Sequence, residues 1–324
     1  MNGFRLKKRT KLKDLTEKEL LPESDLSLTD SNGDFLQFDY EKEDEVGLVA
    51  KPGVWIISEE SSSRSLSLKK TSYVEDHIYD EFLITAMVSK KIDHFFNRLD
   101  IYEKYGVEIP KRGILLYGPP GTGKTTVIRK ISGKYSKDNQ TCVMIWPTDA
   151  FDSYEAKEFL KSLKFDSEVK KLILIVEDVG GVESDSVQAK SDSSLLSILD
   201  NQEKIFKLPI LILATTNFPE VFLGNLTNRP QRFDDKIEVG FPDEIARFNL
   251  FRFFHGQGEI SESLELLIKG ELCREFSPAH IKECFLRAEL YDKDIESVIK
   301  EISGEILQYR NSFTKSRPKI GFGD

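Results

Sequence analysis

Gly113-Ile114-Leu115-Leu116-Tyr117-Gly118-Pro119-Pro120-Gly121-Thr122-Gly123-Lys124-Thr125 is the stretch that decides the fold of this chain. Its first part, Gly113 to Tyr117, is an apolar run and reads as a buried strand. From Gly118 to Thr125 it fits the pattern G-x-x-x-x-G-K-[ST]. Glycines let the backbone curl so that several N–H groups converge on one anion. A helical pattern follows from Thr125 to Tyr135, and its positive N-terminal end faces the same point. Lys124 brings an ammonium to the β and γ phosphates of a nucleotide, and Thr125 offers a hydroxyl to Mg²⁺. The phosphate-binding residues are therefore read as Gly118, Pro119, Pro120, Gly121, Thr122, Gly123, Lys124, Thr125 and Thr126. The strand before the loop and the helix after it distinguish it from a chance glycine-rich turn.

Outward from this loop, aliphatic runs alternate with helical patterns. Cys142–Trp146 precedes a helical stretch at Tyr154–Leu163, and Leu172–Val176 precedes one at Leu195–Ile205, before Ile210–Ala214. Continuous aliphatic strands alternating with helices predict a parallel sheet covered on both faces. Upstream, Phe82, Ile84, Met87, Val88, Ile92, Phe95 and Phe96 recur at near-helical spacing and predict a helix leading into the core. After Phe241-Pro242 the strands stop, and the chain to about Arg310 reads as helical. The expected fold is α/β: a P-loop NTPase parallel sheet flanked by helices, followed by an α-helical lid domain and preceded by a small N-terminal region with β character. The expected limits are 1–72 for the N-terminal region, 73–242 for the nucleotide-binding domain, 243–310 for the lid and 311–324 for a tail ordered by docking. Within 1–72, Phe35–Tyr40 and Val54–Ile57 read as strands, separated by the acidic Glu41–Glu45 and followed by the serine-rich Ser58–Ser67. That region is either a small β module with a linker or a partly disordered arm.

The strand Leu172–Val176 ends in Glu177-Asp178. Acids at the carboxyl end of such a strand lie where open α/β sheets bind ligands. One is expected to orient the water shell of Mg²⁺ and the other to polarise the attacking water. Ile210–Ala214 runs into Thr215-Thr216-Asn217, and Asn217 is suited to report on the γ-phosphate or the attacking water. Arg229 and Arg232 carry fixed charge able to stabilise phosphoryl transfer. From pattern alone, surface pairing of these arginines with Asp234 and Asp235 is the favoured reading.

Together these residues resemble an AAA ATPase of the AAA+ superfamily. The run Tyr105 to Thr125 resembles that family's approach to its phosphate loop, and Ala214-Thr215-Thr216-Asn217 resembles its sensor 1. Arg229-Pro230-Gln231-Arg232-Phe233-Asp234, continuing to Gly240-Phe241-Pro242-Asp243, resembles its second region of homology. The likeness runs from about Tyr73 to about Leu290. Most of the family has Asp then Glu where this chain has Glu177 then Asp178. By position Glu177 is the metal-side acid and Asp178 the base, with reversed roles left open. The Glu177-Asp178 order and Arg112-Gly113 look most like the mitochondrial inner-membrane translocase branch and its bacterial relatives. The resemblance implies ATP and Mg²⁺ as cofactors, with Thr125 and Glu177 holding the metal largely through water. It also implies that Arg229 and Arg232 reach the ATP of a neighbouring subunit, which requires an oligomer, usually a hexameric ring. Ser277-Pro278-Ala279-His280-Ile281 resembles the Ser-Gly-Ala-Asp-Ile start of a lid helix, departing from it at Pro278 and His280. The aromatic triplet of threading motors is not found after the second strand; Phe151 or Tyr154 could substitute for it, but the favoured reading is that each packs its own helix, and the polar loop Gly180–Ser194 is the alternative pore lining.

The bulk composition excludes several classes. With 324 residues, 39% of them hydrophobic and 31% charged, the chain fits a soluble globular protein with a sizeable core. A net charge of -9 argues against a protein that coats nucleic acid. Met1–Lys13 is basic but lacks the apolar segment of a signal peptide, and no run reaches the ~18 apolar residues of a membrane span. A cytoplasmic location is expected. Cys142, Cys273 and Cys284 have no metal-like spacing and read as reduced thiols. The function expected is an ATP-hydrolysing ring that remodels a protein client. The alternatives are a slowly hydrolysing nucleotide-gated scaffold and, against the acidic balance, a nucleic-acid-handling ATPase. Neither client nor pathway is legible.

Overall fold

The structure is a computed structural model that describes residues 3–9, 28–29, 35–41, 49–59, 66–71, 83–147, 159–179, 206–218, 233–256 and 258–316. Internal contacts divide the chain into a sheet unit, Met1–Gly118 with Lys124–Glu238, and a helical unit, Pro119–Gly123 with Val239–Asp324.

In the sheet unit, β1 (Gly3–Arg9), β2 (Leu28–Thr29) and β3 (Phe35–Glu41) form an antiparallel sheet in the order β1-β3-β2. β4 (Val49–Ala50) and β5 (Gly53–Glu59) lead to β6 (Leu66–Thr71). Then come α1 (Leu83–Phe96), α2 (Leu99–Lys104), β7 (Lys111–Tyr117), α3 (Lys124–Tyr135) and β8 (Thr141–Pro147). β9 (Lys164–Phe165) pairs with β4, and β10 (Lys171–Glu177), β11 (Ile210–Thr216) and β12 (Asp235–Glu238) complete the set. The main sheet is seven-stranded, in the order β12-β7-β11-β10-β8-β5-β6. All its neighbours are parallel except the β5–β6 hairpin.

The aliphatic runs form the middle of this sheet because each side chain needs cover on one face or the other. Ile114, Leu115, Leu116, Ile173, Leu174, Leu211, Ile212 and Leu213 are fully buried. β5 and β6 extend the sheet beyond β8 by pairing Val54 opposite Val143. Val54, Trp55, Ile57 and Leu68 are buried there, so β5 and β6 share the sheet's core. Helix α1 is held against α3 through Tyr135, whose hydroxyl donates to Asp93 Oδ1 at 2.5 Å, with Lys134 on the same carboxylate at 2.9 Å. Cys142, Cys273 and Cys284 are free and buried, and burial pushes the Cys142 and Cys284 thiols up to about 12.

The helical unit contains α4 (Glu244–His255), α5 (Glu262–Lys269), a 3-10 turn at Glu271–Cys273, α6 (Pro278–Leu290) and α7 (Ile295–Ser316). Each start is signalled locally: Asp243 accepts from the Ala246 amide, Ser261 from Leu264 and Ser277 from His280. Arg247, 4% exposed, donates to the carbonyls of Ile268 (2.7 Å), Lys269 (3.0 Å) and Pro242 (3.1 Å). A guanidinium thereby closes the negative C-terminal end of α5. Helix α7 continues past Arg310 to Ser316, stopping two residues before Pro318, whose ring cannot continue a helix. The helices read at Tyr154–Leu163 and Leu195–Ile205 lie wholly or mostly outside the described residues. Among the described residues no helix is long and apolar enough to cross a membrane.

Candidate nucleotide site

Strand register brings the predicted residues to one edge. Tyr117 stands beside Thr216, and Val176 beside Ala214, so β7, β11 and β10 end side by side. Gly118 leaves the first strand, Asn217 the middle one and Asp178 the third. This carboxyl edge is where open α/β sheets bind ligands.

The loop has the conformation its glycines allow. Gly118, Gly121 and Gly123 have φ of 148°, 76° and 104°, a region that favours glycine. The Gly118 amide donates to the Thr216 carbonyl at 3.3 Å. Lys124, the first residue of α3, is 5% exposed and donates from Nζ to the Gly118 carbonyl at 2.7 Å. Burial lowers its pKa, and the negative charge of Asp178 opposes that shift. Thr125 is exposed and Thr126 half-buried at the mouth of the helix. Within Pro119–Gly123, the buried Thr122 hydroxyl donates to the Pro119 carbonyl at 2.9 Å.

The two acids divide. Glu177 shares a hydrogen bond with the Thr125 hydroxyl. Its pKa is raised, first by burial and then by the neighbouring Asp178 charge, with Arg129 and Thr125 pulling the other way. Asp178 turns out of the strand with φ of 53°. Its amide donates to Thr215 Oγ1 at 2.9 Å, and its Oδ1 accepts from Asn217 Nδ2 at 3.0 Å. One acid thus faces the hydroxyl at the head of α3 and the other faces the polar end of β11. Hydroxyl and carboxylate oxygens are the donor set that suits Mg²⁺.

Arg229 and Arg232 lie outside the described residues, as do Phe151, Tyr154 and Gly180–Ser194. The residues just after Arg232 are anchored. The Asp234 amide donates to the Gly113 carbonyl and its Oδ2 accepts from the Gly113 amide, both at 2.9 Å. Asp235 accepts from Lys91 at 2.6 Å and Arg112 at 3.1 Å. Burial raises the Asp235 pKa, but Lys91 and Arg112 outweigh it and hold the carboxyl below its ordinary value.

In the helical unit, His280 occupies the third position of α6 and reaches back, accepting from the Ser277 amide on Nδ1 at 3.1 Å. It therefore completes a capping box, a job an acid can do equally well. Ala279 is small because Gly121 is close: a Cβ on Gly121 would lie 3.1 Å from Ala279 Cβ and 2.9 Å from Ser277 Oγ.

Residues 114–241 match the family model AAA, described as the ATPase family associated with various cellular activities. These residues are similar to an AAA domain. The AAA family are ATPases, and the likeness implies ATP binding, usually with Mg²⁺. Over 250 residues the chain is 28% identical to Cell division cycle protein 48 homolog of Archaeoglobus fulgidus, covering 70% of this chain and 31% of that one. Over 166 residues it is 30% identical to ATPase family gene 2 protein of Saccharomyces cerevisiae, covering 46% of this chain and 20% of the relative. Over 225 residues it is 25% identical to the proteasome-activating nucleotidase of Methanococcus vannielii, covering 64% and 54%. The chain therefore spans from a fifth to about half the length of these relatives. They are not mitochondrial translocases. The branch inferred from Glu177-Asp178 and Arg112-Gly113 is corrected to the AAA family alone, because those two short features occupy few of the positions that set overall similarity.

Sequence reasoning passed over two residues of this AAA-like domain. Thr215 was read only as part of a sensor segment, although a threonine at the end of an aliphatic strand is a signal that a buried hydroxyl has work to do. Arg129 lies one helical turn beyond Thr125, and that spacing places it on the Glu177 side of α3.

Proposed function

We propose that this chain binds Mg-ATP and hydrolyses it as one subunit of a ring, hexameric and cytoplasmic, that remodels a protein client. The observation that supports this reading is the pairing of Thr125 with Glu177 and of Asn217 with Asp178 at the strand ends beside the phosphate loop. In this reading the main chain of Gly118–Thr126 and the Lys124 ammonium hold the phosphates. Thr125 and Glu177 hold the metal largely through water. Asp178 accepts the proton of the attacking water, and Asn217 fixes the direction of that carboxylate. Mg²⁺ supplies neutralisation of the charge on the transferring phosphoryl group. Arg229 and Arg232 are proposed to act on the nucleotide of the neighbouring subunit. The ring and the client draw support from the relatives, one of which is named a proteasome-activating nucleotidase.

A second reading, a slowly hydrolysing nucleotide-gated scaffold, is favoured by the short side chain of Asp178. One experiment separates them: ATP turnover and ATP-dependent assembly of the purified chain, beside Arg232→Ala. Turnover with assembly, lost on Arg232→Ala while ATP affinity holds, is the expected result. Turnover below about one per minute with ATP-dependent assembly favours the scaffold. Absence of calorimetric heat with any adenine nucleotide overturns both.

A further inference from the structure

Thr215 ends a strand that is aliphatic from Ile210 to Ala214, and it is 1% exposed. A hydroxyl so placed has lost its water and needs a partner. Its Oγ1 accepts the Asp178 amide at 2.9 Å. Its carbonyl accepts the next amide, Val179, at 2.8 Å. Consecutive amides of one turn thus end on a single residue of the neighbouring strand.

The turn needs such a hold. Asp178 has φ of 53°, a left-handed conformation that Asp enters more readily than most side chains and that is held where local hydrogen bonds favour it. The carboxylate it displays is one methylene shorter than a glutamate and reaches Asn217 at 3.0 Å. Relaxation of the main chain to an ordinary strand angle would swing that short carboxylate away, because it has no spare length to compensate.

We propose that Thr215 is a positioning residue for hydrolysis, whose hydroxyl keeps the Asp178 turn left-handed and so keeps the carboxylate at Asn217. The proposal rests on the ATPase reading above. Thr215 is 1% exposed and is proposed to act through Asp178, not on the nucleotide itself.

The test compares Thr215→Val, which keeps shape and removes the acceptor, with Thr215→Ser, which keeps the acceptor. Three quantities are read: turnover at saturating Mg-ATP, calorimetric ATP affinity, and hydrogen exchange of the Asp178 and Val179 amides without nucleotide. Thr215→Val is expected to lose about ten-fold in kcat, the worth of one buried hydrogen bond, with KM and affinity unchanged and the Asp178 amide exchanging faster. Thr215→Ser is expected to restore both. Wild-type kcat and protection in Thr215→Val overturn the proposal, as does an equal loss in Thr215→Ser accompanied by a lower melting temperature. A wild-type chain that binds but never hydrolyses ATP overturns the ATPase reading and the catalytic half of this one. The exchange rates of the nucleotide-free proteins then decide the clamp on their own.

Discussion

Asn217 Nδ2 lies 3.0 Å from Asp178 Oδ1, joining the ends of β11 and β10 directly. The residue suited to sensing phosphate is therefore hydrogen-bonded to the residue suited to activating water. Asn217→Ala frees the carboxylate without touching the phosphate loop. We expect kcat to fall about ten- to hundred-fold while ATP affinity changes less than about three-fold, the pattern of an interaction made in the transition state. Steady-state turnover beside calorimetry reads both.

Lys124 places a buried ammonium at the Gly118 carbonyl. Charge-assisted bonds to phosphate are the strong ones, so Lys124→Ala should weaken ATP binding by about two orders of magnitude. Titration calorimetry tests this. Unchanged affinity would remove the lysine from the site.

The His280 capping box makes the helical unit sensitive to acid. Nδ1 accepts from the Ser277 amide, so the ring must be neutral there. Burial lowers its pKa from 6.5, so below that pH the unfolded chain binds more protons than the folded one. The contribution is fully present above about 6.5 and is lost as pH falls through the lower folded value. His280→Asp should keep the cap and remove this loss, seen as a flatter melting temperature between about pH 5 and 7. Equal slopes in both proteins would exclude the histidine.

Arg247 is a costly side chain to lose in the helical unit. Arg247→Leu leaves the carbonyls of Ile268, Lys269 and Pro242 without this donor in a buried setting. A loss of about 2–4 kcal/mol is expected, visible as a lower thermal midpoint. Arg247→Lys should recover little of it, since an ammonium lacks the planar fork that spans separate carbonyls.

Much of the sheet was legible residue by residue. The runs at 113–117, 142–146, 172–176 and 210–214 all lie inside β7, β8, β10 and β11, because a strand buried on both faces must be apolar throughout. The helical character of the chain after Phe241-Pro242 was legible, and Ser277 was legible as one helix start; the caps at Asp243 and Ser261 were passed over, although both are the residue types that announce a start. The membership of Gly53–Glu59 and Leu66–Thr71 in the same sheet was not legible. Val54 and Ile57 show that they need burial, not which strand will provide it.

What the amino-acid sequence determined alone is chemistry that depends on near neighbours: the glycines and lysine of the loop, the acids after an aliphatic strand, the caps of the helices. What only the tertiary structure decided is which of these meet. Glu177 facing Thr125, Asp178 facing Asn217 and the Thr215 hydroxyl on the Asp178 amide all follow from the strand order β7-β11-β10. Contacts between residues far apart in the chain are settled by how the whole sheet packs, and no local pattern records that choice.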